Sequence, residues 1–557
     1  MQREDAMRPA LHAWTRRALL STSLMACTAM LAPAGAQTAP REAFGKYTIG
    51  LSSLGTAEAW LPWLESGREG WLGLEPVYES LVGSDVKTGD FLPQLSHRWE
   101  MEDQGRSWRF FLKKGVKFHD GTEVTADDVV FSHEAMIADR SVSSSKPVLK
   151  ALVEKIEVIN PHEIVYRLRQ QDVTFLGRVV QGNFGVVSKA YHEKVGEREA
   201  AAKPIGTGPY RMVEHKRQQF IVYEAVPNHH VETAGFKTVT LRRVTDQSAR
   251  LAMLRSGEID ITEIAFKLKR EAEAAGLKLI RVPGAAVYHV QLGGQLAPTR
   301  EQFDKSVPWV GDPGDPASQE RARKVRLAMN LAVDKAAIIE AIFEGEGTPS
   351  ITSFFPPDSE FIAPGLKAVG YDPKEAKRLL SEAGYPNGFS RDIEMLLMPW
   401  PGRAEMADVG EVVAGFWEKN LGLKVRRRPI DWATFAPNYA VTRKMPWVTW
   451  AHGFNPRAFP DPINGMDTWM MTESRYNSVA ELPAIDALAS KVRSETDRVK
   501  RVGLYREMGK ILNEGYHAIT VAAVPALYAY NPKRIASYPL APGEAYLGGY
   551  HLAMPVR

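Results

Sequence analysis

Residues 107–132 read SWRFFLKKGVKFHDGTEVTADDVVFS, and the pattern of this stretch changes twice. Aromatic and β-branched residues up to Phe118 favour strands. His119-Asp120-Gly121 then predicts a turn, because glycine tolerates positive φ and aspartate can bond its own backbone. Thr125 is placed to cap a helix, and the two acids that follow suit the positive end of the helix dipole. Strand, turn and capped helix in succession favour a mixed α/β fold.

The same alternation of helix and strand patterns continues along the chain. Residues 153–168 predict a hairpin that turns at Asn160-Pro161. Apolar residues at helical spacing from Glu320 to Phe343 predict one long helix, and the apolar residues 519–530 predict a strand. A chain of 557 residues is too long for one compact domain, so we expect an α/β protein with more than one lobe.

Composition and charge exclude several classes of function. The chain is 44% hydrophobic and 24% charged, as in ordinary globular proteins. Its formal net charge of +4 comes without a clustered basic face, which argues against a nucleic-acid partner. The single cysteine, Cys27, lies near the N-terminus, so we expect no disulfide, cysteine metal site or thiol nucleophile in the mature protein.

The N-terminal segment has the three parts of an export signal. Arg16-Arg17 is followed by an apolar stretch from Ala18 to Leu31 and by Ala34-Gly35-Ala36. The apolar stretch is shorter than the roughly 20 residues that span a bilayer. We therefore predict a signal peptide over residues 1–36, cleavage after Ala36 and a periplasmic mature protein.

Two features of this segment leave alternatives open. Thr15 to Leu20 resembles a twin-arginine export motif, and an ordinary secretory signal with two adjacent arginines fits equally well. Leu24-Met25-Ala26-Cys27 resembles a lipobox, which would place a lipid on Cys27. The apolar residues continue past Cys27 to a better cleavage site, which favours the unlipidated form.

Several blocks of the sequence carry a resemblance to a known family. They include Tyr78–Val82, Val116–Ser132, Gly206–Tyr210, Ser256–Asp260, Val325–Lys335 and Tyr371–Phe389. In this order they are similar to family 5 of the bacterial extracellular solute-binding proteins, which feeds oligopeptide, dipeptide and nickel ABC transporters. Each block alone is weak, and together they cover nearly all of residues 45–540.

The resemblance implies a type II (cluster C) periplasmic binding protein-like fold of α/β class, with two lobes joined by a hinge. Lobe I would comprise residues 45–84, 205–288 and 520–557, with an extra subdomain over 85–204. Lobe II would comprise residues 289–519. A solute would sit between the lobes and shift an open–closed equilibrium, because it touches both lobes only when they are closed.

The resemblance also implies a function. The protein would be the substrate-binding component of an ABC importer that captures a small peptide or peptide-like solute. Its partners would be that solute and the permease and ATPase subunits at the inner membrane, and it would act as a monomer. A non-peptide solute (an opine, a sugar derivative or a chelated metal) is the alternative, and a hydrolase is a more distant one.

Lobe II supplies most of the candidate ligand contacts. Asp431-Trp432 resembles the family segment whose tryptophan lines the cleft, and Trp450 matches a second cleft tryptophan. Three residues after that tryptophan, peptide-binding members carry the aspartate that holds the ligand's α-ammonium group. In this chain that position falls on Gly453, and His452 precedes it.

The glycine weakens the case for an ordinary peptide ligand. A buried ammonium group needs a carboxylate partner, since an unpaired charge in a closed cleft costs several kcal/mol. Asp431 or Asp461 could compensate for the missing aspartate. Alternatively, His452 or Arg457 could meet an anionic group of the solute. Core packing is the competing interpretation of Trp432 and Trp450.

Further candidates lie on the lobe I side of the cleft. Tyr288 and His289 lie where the chain is expected to cross to lobe II. The segment Thr56 to Trp60 is an early loop that is expected to face the cleft, with Trp60 as its aromatic contact. For these residues a structural role is as good an interpretation as ligand binding.

No motif in the chain points to catalysis, a cofactor or a metal. His119-Asp120-Gly121 is interpreted as a turn with a structural contact. His229-His230 is interpreted as a surface pair, because adjacent residues on a strand face opposite ways and cannot chelate one ion. The stretch from His133 to Ile137 begins like a zinc-protease helix and lacks the second histidine. We therefore expect a protein that is not an enzyme and has no metal site.

Overall fold

The computed structural model describes residues 45–556, except 56, 66–67, 86–89, 180–183, 232, 401–402, 404, 457–460, 475, 478–479 and 541–546. The predicted signal peptide, with Cys27 and the paired arginines, lies outside the described residues. Thr56 and Arg457 also lie outside them. No helix in the described part of the chain is long and apolar enough to cross a membrane.

Nineteen strands occur among the described residues. Their bounds are β1 (Lys46–Leu51), β2 (Val82–Ser84), β3 (Phe91–Pro93), β4 (Ser96–Glu102), β5 (Ser107–Leu112), β6 (Val153–Asn160), β7 (Glu163–Leu168), β8 (Tyr210–Lys216), β9 (Phe220–Ala225), β10 (Thr238–Arg243), β11 (Ile261–Glu263), β12 (Lys278–Leu292), β13 (Thr348–Pro349), β14 (Ile393–Leu397), β15 (Val425–Pro429), β16 (Val448–Phe454), β17 (Ala518–Tyr530), β18 (Ile535–Ser537) and β19 (Met554–Pro555).

Sixteen α-helices lie between these strands in the same described ranges. Their bounds are α1 (Arg68–Leu74), α2 (Ala126–Ile137), α3 (Lys146–Leu152), α4 (Leu176–Val179), α5 (Lys189–Val195), α6 (Glu197–Ala202), α7 (Gln247–Ser256), α8 (Lys269–Ala274), α9 (Pro316–Leu331), α10 (Lys335–Phe343), α11 (Pro373–Glu382), α12 (Glu405–Leu421), α13 (Trp432–Phe435), α14 (Pro462–Trp469), α15 (Pro483–Ser494) and α16 (Arg498–Gly515).

One mixed sheet runs through the described part of the molecule in the order β15-β14-β16-β12-β17-β11-β1-β10-β9-β8, with β13 paired to β17. We call β1 and β8–β11 the lobe I half of this sheet, and β14–β16 the lobe II half. β1 is parallel to β10 and β11, and β14 is parallel to β15 and β16. The carboxyl ends of parallel strands therefore lie together in each half.

The long strands β12 and β17 connect the two halves. They pair with each other in antiparallel fashion and shift register between Val282 and Ala286. The shift contains Pro283 and Gly284, and Gly284 has φ of +66°. Pro525 lies opposite in β17 and has no N–H to donate. This break in the ladder is a natural place for the strands to bend, and it fits the predicted hinge.

Buried side chains form separate cores on either side of these strands. One core surrounds the lobe I half and contains the fully buried Trp60, Trp63 and Tyr223. Another packs α9, α10 and α12 against the lobe II half and contains Trp309 and Trp417. A smaller core lies under α14, α15 and α16. Division of the apolar core is what a two-lobed protein requires.

A four-stranded antiparallel sheet, β4-β5-β7-β6, forms a subdomain within the predicted range 85–204. The predicted hairpin is confirmed, with β6 ending at Asn160 and β7 beginning at Glu163. Thr125 caps α2 as predicted, and Asp128 completes a capping box by accepting from the Thr125 N–H at 2.8 Å. The predicted turn is present too: Gly121 has φ of +89°.

The long helix predicted over 320–343 is wrong, because the structure has two helices there. α9 begins earlier, at Pro316, and ends at Leu331, and α10 begins at Lys335. Asp334 caps the second helix by accepting from the Ala337 N–H at 3.0 Å. A capping aspartate inside an apolar helical pattern therefore divides it into two elements.

Candidate functional site

The loops that follow β14, β15 and β16 gather aromatic and charged residues at one edge of the lobe II half. In open α/β sheets, ligands bind at the carboxyl ends of parallel strands. Trp400 and Arg403 follow β14, Asp431 and Trp432 follow β15, and Asp461 lies in the loop after β16. This edge is the first wall of the candidate site.

Half-buried aromatic rings form a continuous surface at this edge. The ring centroid of Trp432 lies 4.7 Å from that of Trp400, 5.4 Å from that of Tyr476 and 6.0 Å from that of Trp469. The Trp469 ring also contacts His452, at 5.2 Å. We call Trp400, Trp432, Trp469 and Tyr476 the aromatic wall. Its partly exposed faces suit apolar or planar groups of a ligand.

Arg403 occupies the space beside Gly453. A Cβ added at Gly453 would lie 3.2 Å from Arg403 Cδ, 3.3 Å from Arg403 Nη1 and 3.2 Å from Tyr288 Cε1. Arg403 is only 8% exposed, and its guanidinium makes no hydrogen bond or ion pair with another described residue. Where the resemblance expects a carboxylate, this chain has a glycine with a buried cation next to it.

The two aspartates that could replace the missing carboxylate are engaged in helix capping. Asp431 accepts from the Thr434 N–H at 2.8 Å and caps α13. Asp461 accepts from the Ile463 N–H at 3.2 Å, caps α14 and also contacts the Tyr505 hydroxyl. Hydrogen bonds with Thr434 lower the pKa of Asp431, whereas burial raises that of Asp461.

The second wall of the site lies at the carboxyl ends of β1 and β11 in the lobe I half. A small pocket opens there between Gly50 to Ser53, Arg250, Glu263 and Tyr528. Burial raises the pKa of Glu263 to about 8, so this carboxyl holds its proton at neutral pH. Arg250 donates to the carbonyls of Val244 and Thr245, while its buried Nε has no partner among the described residues.

The charges of the two walls act on each other. Arg403 and Glu405, from the lobe II half, both shift the pKa of Glu263 in the lobe I half, Arg403 lowering it and Glu405 raising it. Charges influence a buried group in this way only over short distances. The carboxyl ends of β11 and β16 both point toward the register shift of β12 and β17, so the strand edges that carry Glu263 and Arg403 face each other across that shift.

Direct contacts also join the subdomain to lobe II. Arg178 Nε donates to Asp172 at 3.0 Å, and Arg178 Nη2 donates to Asp467 of α14 at 2.5 Å. Asp467 also pairs with Arg493 of α15. Asp172, Arg178 and Asp467 are nearly inaccessible, with side-chain exposures of 0%, 7% and 7%. We call these four residues the interlobe ion network.

Asn464 lies close to this network and is unsatisfied. It is 5% exposed, and neither its amide oxygen nor its amide nitrogen has a partner in the described part of the chain. Its nitrogen lies so close to Gly177 of the subdomain that any side chain at 177 would collide with it. A buried amide between two lobes, with both polar atoms free, is a candidate solute contact.

Other residues predicted from the sequence are more deeply buried. Trp450 is 2% exposed and packs on Phe435 with ring centroids 5.1 Å apart. Trp60 is 0% exposed and donates its indole N–H to His215 Nδ1 at 3.1 Å. Tyr288 is 2% exposed and packs on Phe343 beside Gly453. Their contact with a ligand stays a prediction.

His289 and His452 pair across β12 and β16, with ring centroids 5.4 Å apart. Burial lowers the pKa of His289 to about 3 and also lowers that of His452. Both imidazoles are therefore neutral, so His452 does not provide a positive charge for an anionic ligand. In this region Arg403 provides the positive charge instead.

The sequence of this chain matches a known protein family. The family described as bacterial extracellular solute-binding proteins, family 5 Middle, matches residues 90–477. This chain belongs to that family. The family 5 assignment predicted from ordered sequence blocks is thus confirmed. Members of the family are solute-binding proteins.

Similar proteins extend the match over most of this family 5 chain. Heme-binding protein A of Haemophilus influenzae is 29% identical over 474 residues, which cover 80% of this chain and 82% of that protein. The dipeptide-binding protein of Escherichia coli is 25% identical over 512 residues, covering 85% of this chain and 89% of that protein. The names of these two relatives refer to different ligands.

A solved structure supports the fold of the family 5 chain. The periplasmic binding protein DppA of Helicobacter pylori, in complex with the peptide STSA, matches with a TM-score of 0.75 at 20% identity. The match covers 92% of this chain and 98% of that one. The predicted two-lobed α/β binding-protein fold is therefore confirmed.

Three parts of the cleft were not predicted from the sequence of this family 5 protein: Arg403, Glu263 and Asn464. Glu263 ends the short strand β11, and Arg403 follows the short strand β14. Their position at strand ends was the signal that the sequence offered. The placement of His229-His230 on a strand is wrong. The pair lies in a turn beyond β9, and its two imidazoles and the Glu79 carboxylate each have a ligand atom within 4.8 Å of the others.

Proposed function

We propose that the protein captures a small peptide-like solute that carries an anionic group, and delivers it to the permease of an ABC importer. Arg403 is the observation that carries the proposal. Its guanidinium is nearly buried, lies beside Gly453 and has no partner among the described residues. A buried charge without a partner is costly, so a carboxylate of the solute that pairs with it would be bound strongly.

The same neighbourhood disfavours a solute held by a free ammonium group. Asp431 and Asp461 cap helices, and Glu263 is protonated at neutral pH because burial raises its pKa to about 8. A blocked, cyclic or otherwise modified peptide that keeps a carboxylate fits these groups better than a peptide with a free N-terminus. The cation of Arg403 and the neutral carboxyl of Glu263 therefore favour an anionic solute over a cationic one.

A non-peptide acid with a ring is the second candidate solute. The aromatic wall favours it, because Trp400, Trp432 and Trp469 present partly exposed ring faces near Arg403 and its loop. Indole faces stack well on planar groups and on the apolar faces of sugars. This candidate shares the anionic anchor with the first and differs in the rest of the molecule.

This function also requires export of the protein and its division into two lobes. Residues 1–36 would direct export to the periplasm, and the mature chain would then act with permease and ATPase subunits. Lobe I would span 45–84, 205–288 and 520–557, the subdomain 85–204, and lobe II 289–519. Solute would close the lobes about β12 and β17, since it contacts both walls only in the closed form.

The experiment identifies the solute and tests its anchor. Denaturing mass spectrometry of the freshly purified protein would show an acidic solute that co-purifies. Calorimetry would then compare that acid with its amide in the native protein and in Arg403→Gln. Loss of a charge-assisted hydrogen bond predicts about tenfold to hundredfold weaker binding of the acid, and little change for the amide.

Arg426→Gln provides the matched control, because Arg426 lies in the neighbouring strand β15 and its side chain is 70% exposed. We expect this variant to bind the acid as the native protein does. Equal binding of acid and amide, or unchanged affinity in Arg403→Gln, would contradict the proposed anchor. Recovery of a neutral or cationic solute from the purified protein would contradict it as well.

A further inference from the structure

Three side chains of lobe I form a polar cluster that has no role in the cleft. Glu79, His229 and His230 each have a ligand-type atom within 4.8 Å of the other two. His230 Nε2 lies 2.6 Å from Glu79 Oε2, and His229 Nε2 lies 3.6 Å from the same oxygen. We call these residues the lobe I histidine cluster. None of them lines the pocket between β1 and β11.

The backbone brings the two adjacent histidines onto one carboxylate. Strand β9 ends at Ala225, and Asn228 has φ of +52°, in the left-handed region that turns the chain. The alternation of side chains along a strand therefore does not apply to His229 and His230, whose rings lie 4.5 Å apart. Glu79 approaches from the segment after α1, about 150 residues earlier in the chain.

The fold holds the three side chains together in a partly enclosed place. Glu79 is 2% exposed, and the side chains of His229 and His230 are 4% and 21% exposed. One carboxylate and two imidazoles are therefore already gathered at one point, and His230 remains accessible to an ion from solution.

We propose that the lobe I histidine cluster binds one divalent zinc-type ion through Glu79 Oε2, His229 Nε2 and His230 Nε2. Carboxylate oxygen and imidazole nitrogen are common zinc ligands, with bonds of about 2.0–2.2 Å. Tetrahedral bonds of that length place ligand atoms roughly 3.3 Å apart. The 3.6 Å contact is already close to that value, and the 2.6 Å contact has to open by less than about 1 Å.

Binding replaces protons with the ion. His229 Nε2 lies 2.8 Å from the Thr207 carbonyl, which can only accept, so this nitrogen carries a proton. When the metal takes Nε2, that proton leaves an imidazolium ring or is exchanged for one on Nδ1, so that the bound imidazole is neutral. Thr207 is 2% exposed, and its hydroxyl is buried with no partner among the described residues. Such a hydroxyl accommodates a metal-bound water. Water would complete the coordination.

The bound ion would tie together distant segments of lobe I. It would join the segment after α1 to the turn after β9. An ion that binds only the folded state stabilises it by mass action. The site lies apart from the cleft residues, so we expect it to change stability and not solute affinity.

The test uses the full mature protein without a polyhistidine tag, stripped with EDTA and desalted. Zinc chloride is titrated against a chromogenic chelator, and the bound metal is counted by elemental mass spectrometry. We expect one zinc ion per chain and a higher melting temperature with zinc. His230→Gln removes one ligand and should weaken zinc binding at least tenfold and abolish the rise in melting temperature.

His162→Gln is the matched control. His162 also pairs with a carboxylate, Glu123, at 3.0 Å, and its side chain is 21% exposed, as is that of His230. That pair lacks a third ligand, so the control variant should bind zinc as the native protein does. Zinc binding by His230→Gln equal to that of the native protein would overturn the proposal. So would an absence of zinc binding in the native protein, or equal losses in both variants.

Discussion

At the scale of single residues, we expect position 453 to set which charge the cleft accepts. An aspartate there would lie against Arg403, because a Cβ at 453 comes within 3.3 Å of Arg403 Nη1. We predict that Gly453→Asp pairs with Arg403 internally and weakens binding of an anionic solute about tenfold or more. Calorimetry with the co-purified acid measures this change.

Gly453→Ala separates charge from volume, since it adds the same Cβ without a carboxylate. We expect it to cost less affinity than the aspartate. The double variant Gly453→Asp with Arg403→Gln should accept free-amine peptides, because its new carboxylate has no internal partner. If Gly453→Asp alone gained free-amine peptides, the assignment of Arg403 to this position would be incorrect.

Glu263 gives the cleft a pH dependence. Burial raises its pKa from 4.5 to about 8 in a setting that also contains Arg250, Glu69, Arg403 and Glu405. The folded state therefore keeps a proton that the unfolded chain releases, and this carboxyl makes the free energy of unfolding fall as the pH rises from 4.5 towards 8. Glu263→Gln should remove that slope.

The expected gain of Glu263→Gln at alkaline pH is on the order of 1 kcal/mol or more. Below the unfolded pKa the glutamate is protonated in both states, so this advantage of the variant should vanish. Melting temperatures of both proteins across the pH range measure the effect. Parallel curves at all pH values would show that the Glu263 pKa is not raised.

Trp450 is predicted to act mainly through packing. It is 2% exposed, so Trp450→Ala should cost about 3–5 kcal/mol of unfolding free energy. Trp432 is half-buried within the aromatic wall, and Trp432→Ala should cost less stability and more affinity. Urea unfolding and calorimetry separate the two effects. A Trp450→Ala protein of native stability with weak solute binding would support the cleft-lining interpretation instead.

At the scale of elements, the sequence predicted what depends on neighbouring residues. The hairpin around Asn160-Pro161 and the capped helix after Thr125 depend on local turn and cap chemistry, and both were predicted correctly. Arg403 reaches Gly453 only because β14 and β16 pair in parallel, although the two residues are 50 positions apart. The prediction for His229-His230 was wrong for a related reason. β9 ends at Ala225, before the two histidines, so the alternation of side chains along a strand does not apply to them.

The bent strand β12 is the element in which a backbone change should alter lobe movement. Gly284 has φ of +66°, and an L-residue in that region costs about 1–2 kcal/mol. We predict that Gly284→Ala lowers the free energy of unfolding by about 1 kcal/mol and also changes solute-induced closure. Small-angle scattering with and without solute measures closure.

Gly257→Ala provides the control for this backbone effect. Gly257 also has positive φ, +80°, but it ends helix α7 and has open space around it. We expect a similar loss of stability and unchanged closure. If both variants close as the native protein does, the bend at Pro283-Gly284 is not part of the hinge.

At the scale of the whole molecule, the interlobe ion network joins separately packed parts of the chain. Phe175 and Leu176, next to Arg178, belong to the lobe I core, whereas Met466, next to Asp467, belongs to the core under α14. Backbone contacts reinforce the junction: the Val173 N–H donates to the Arg493 carbonyl at 2.9 Å. We infer that the network stabilises the closed arrangement.

Asp467→Asn tests this inference, because it leaves Arg178 and Arg493 close together with their shared carboxylate removed. Breaking a buried ion pair on one side costs about 3–5 kcal/mol, and here the cost falls on the closed form. We therefore predict at least tenfold weaker solute binding and a larger radius of gyration in the presence of solute.

Glu418→Gln is the control, since its ion pair with Arg427 is partly exposed and should contribute little. Native affinity and native closure in Asp467→Asn would mean that the network serves the fold of lobe II alone, and that solute contacts provide the energy of closure.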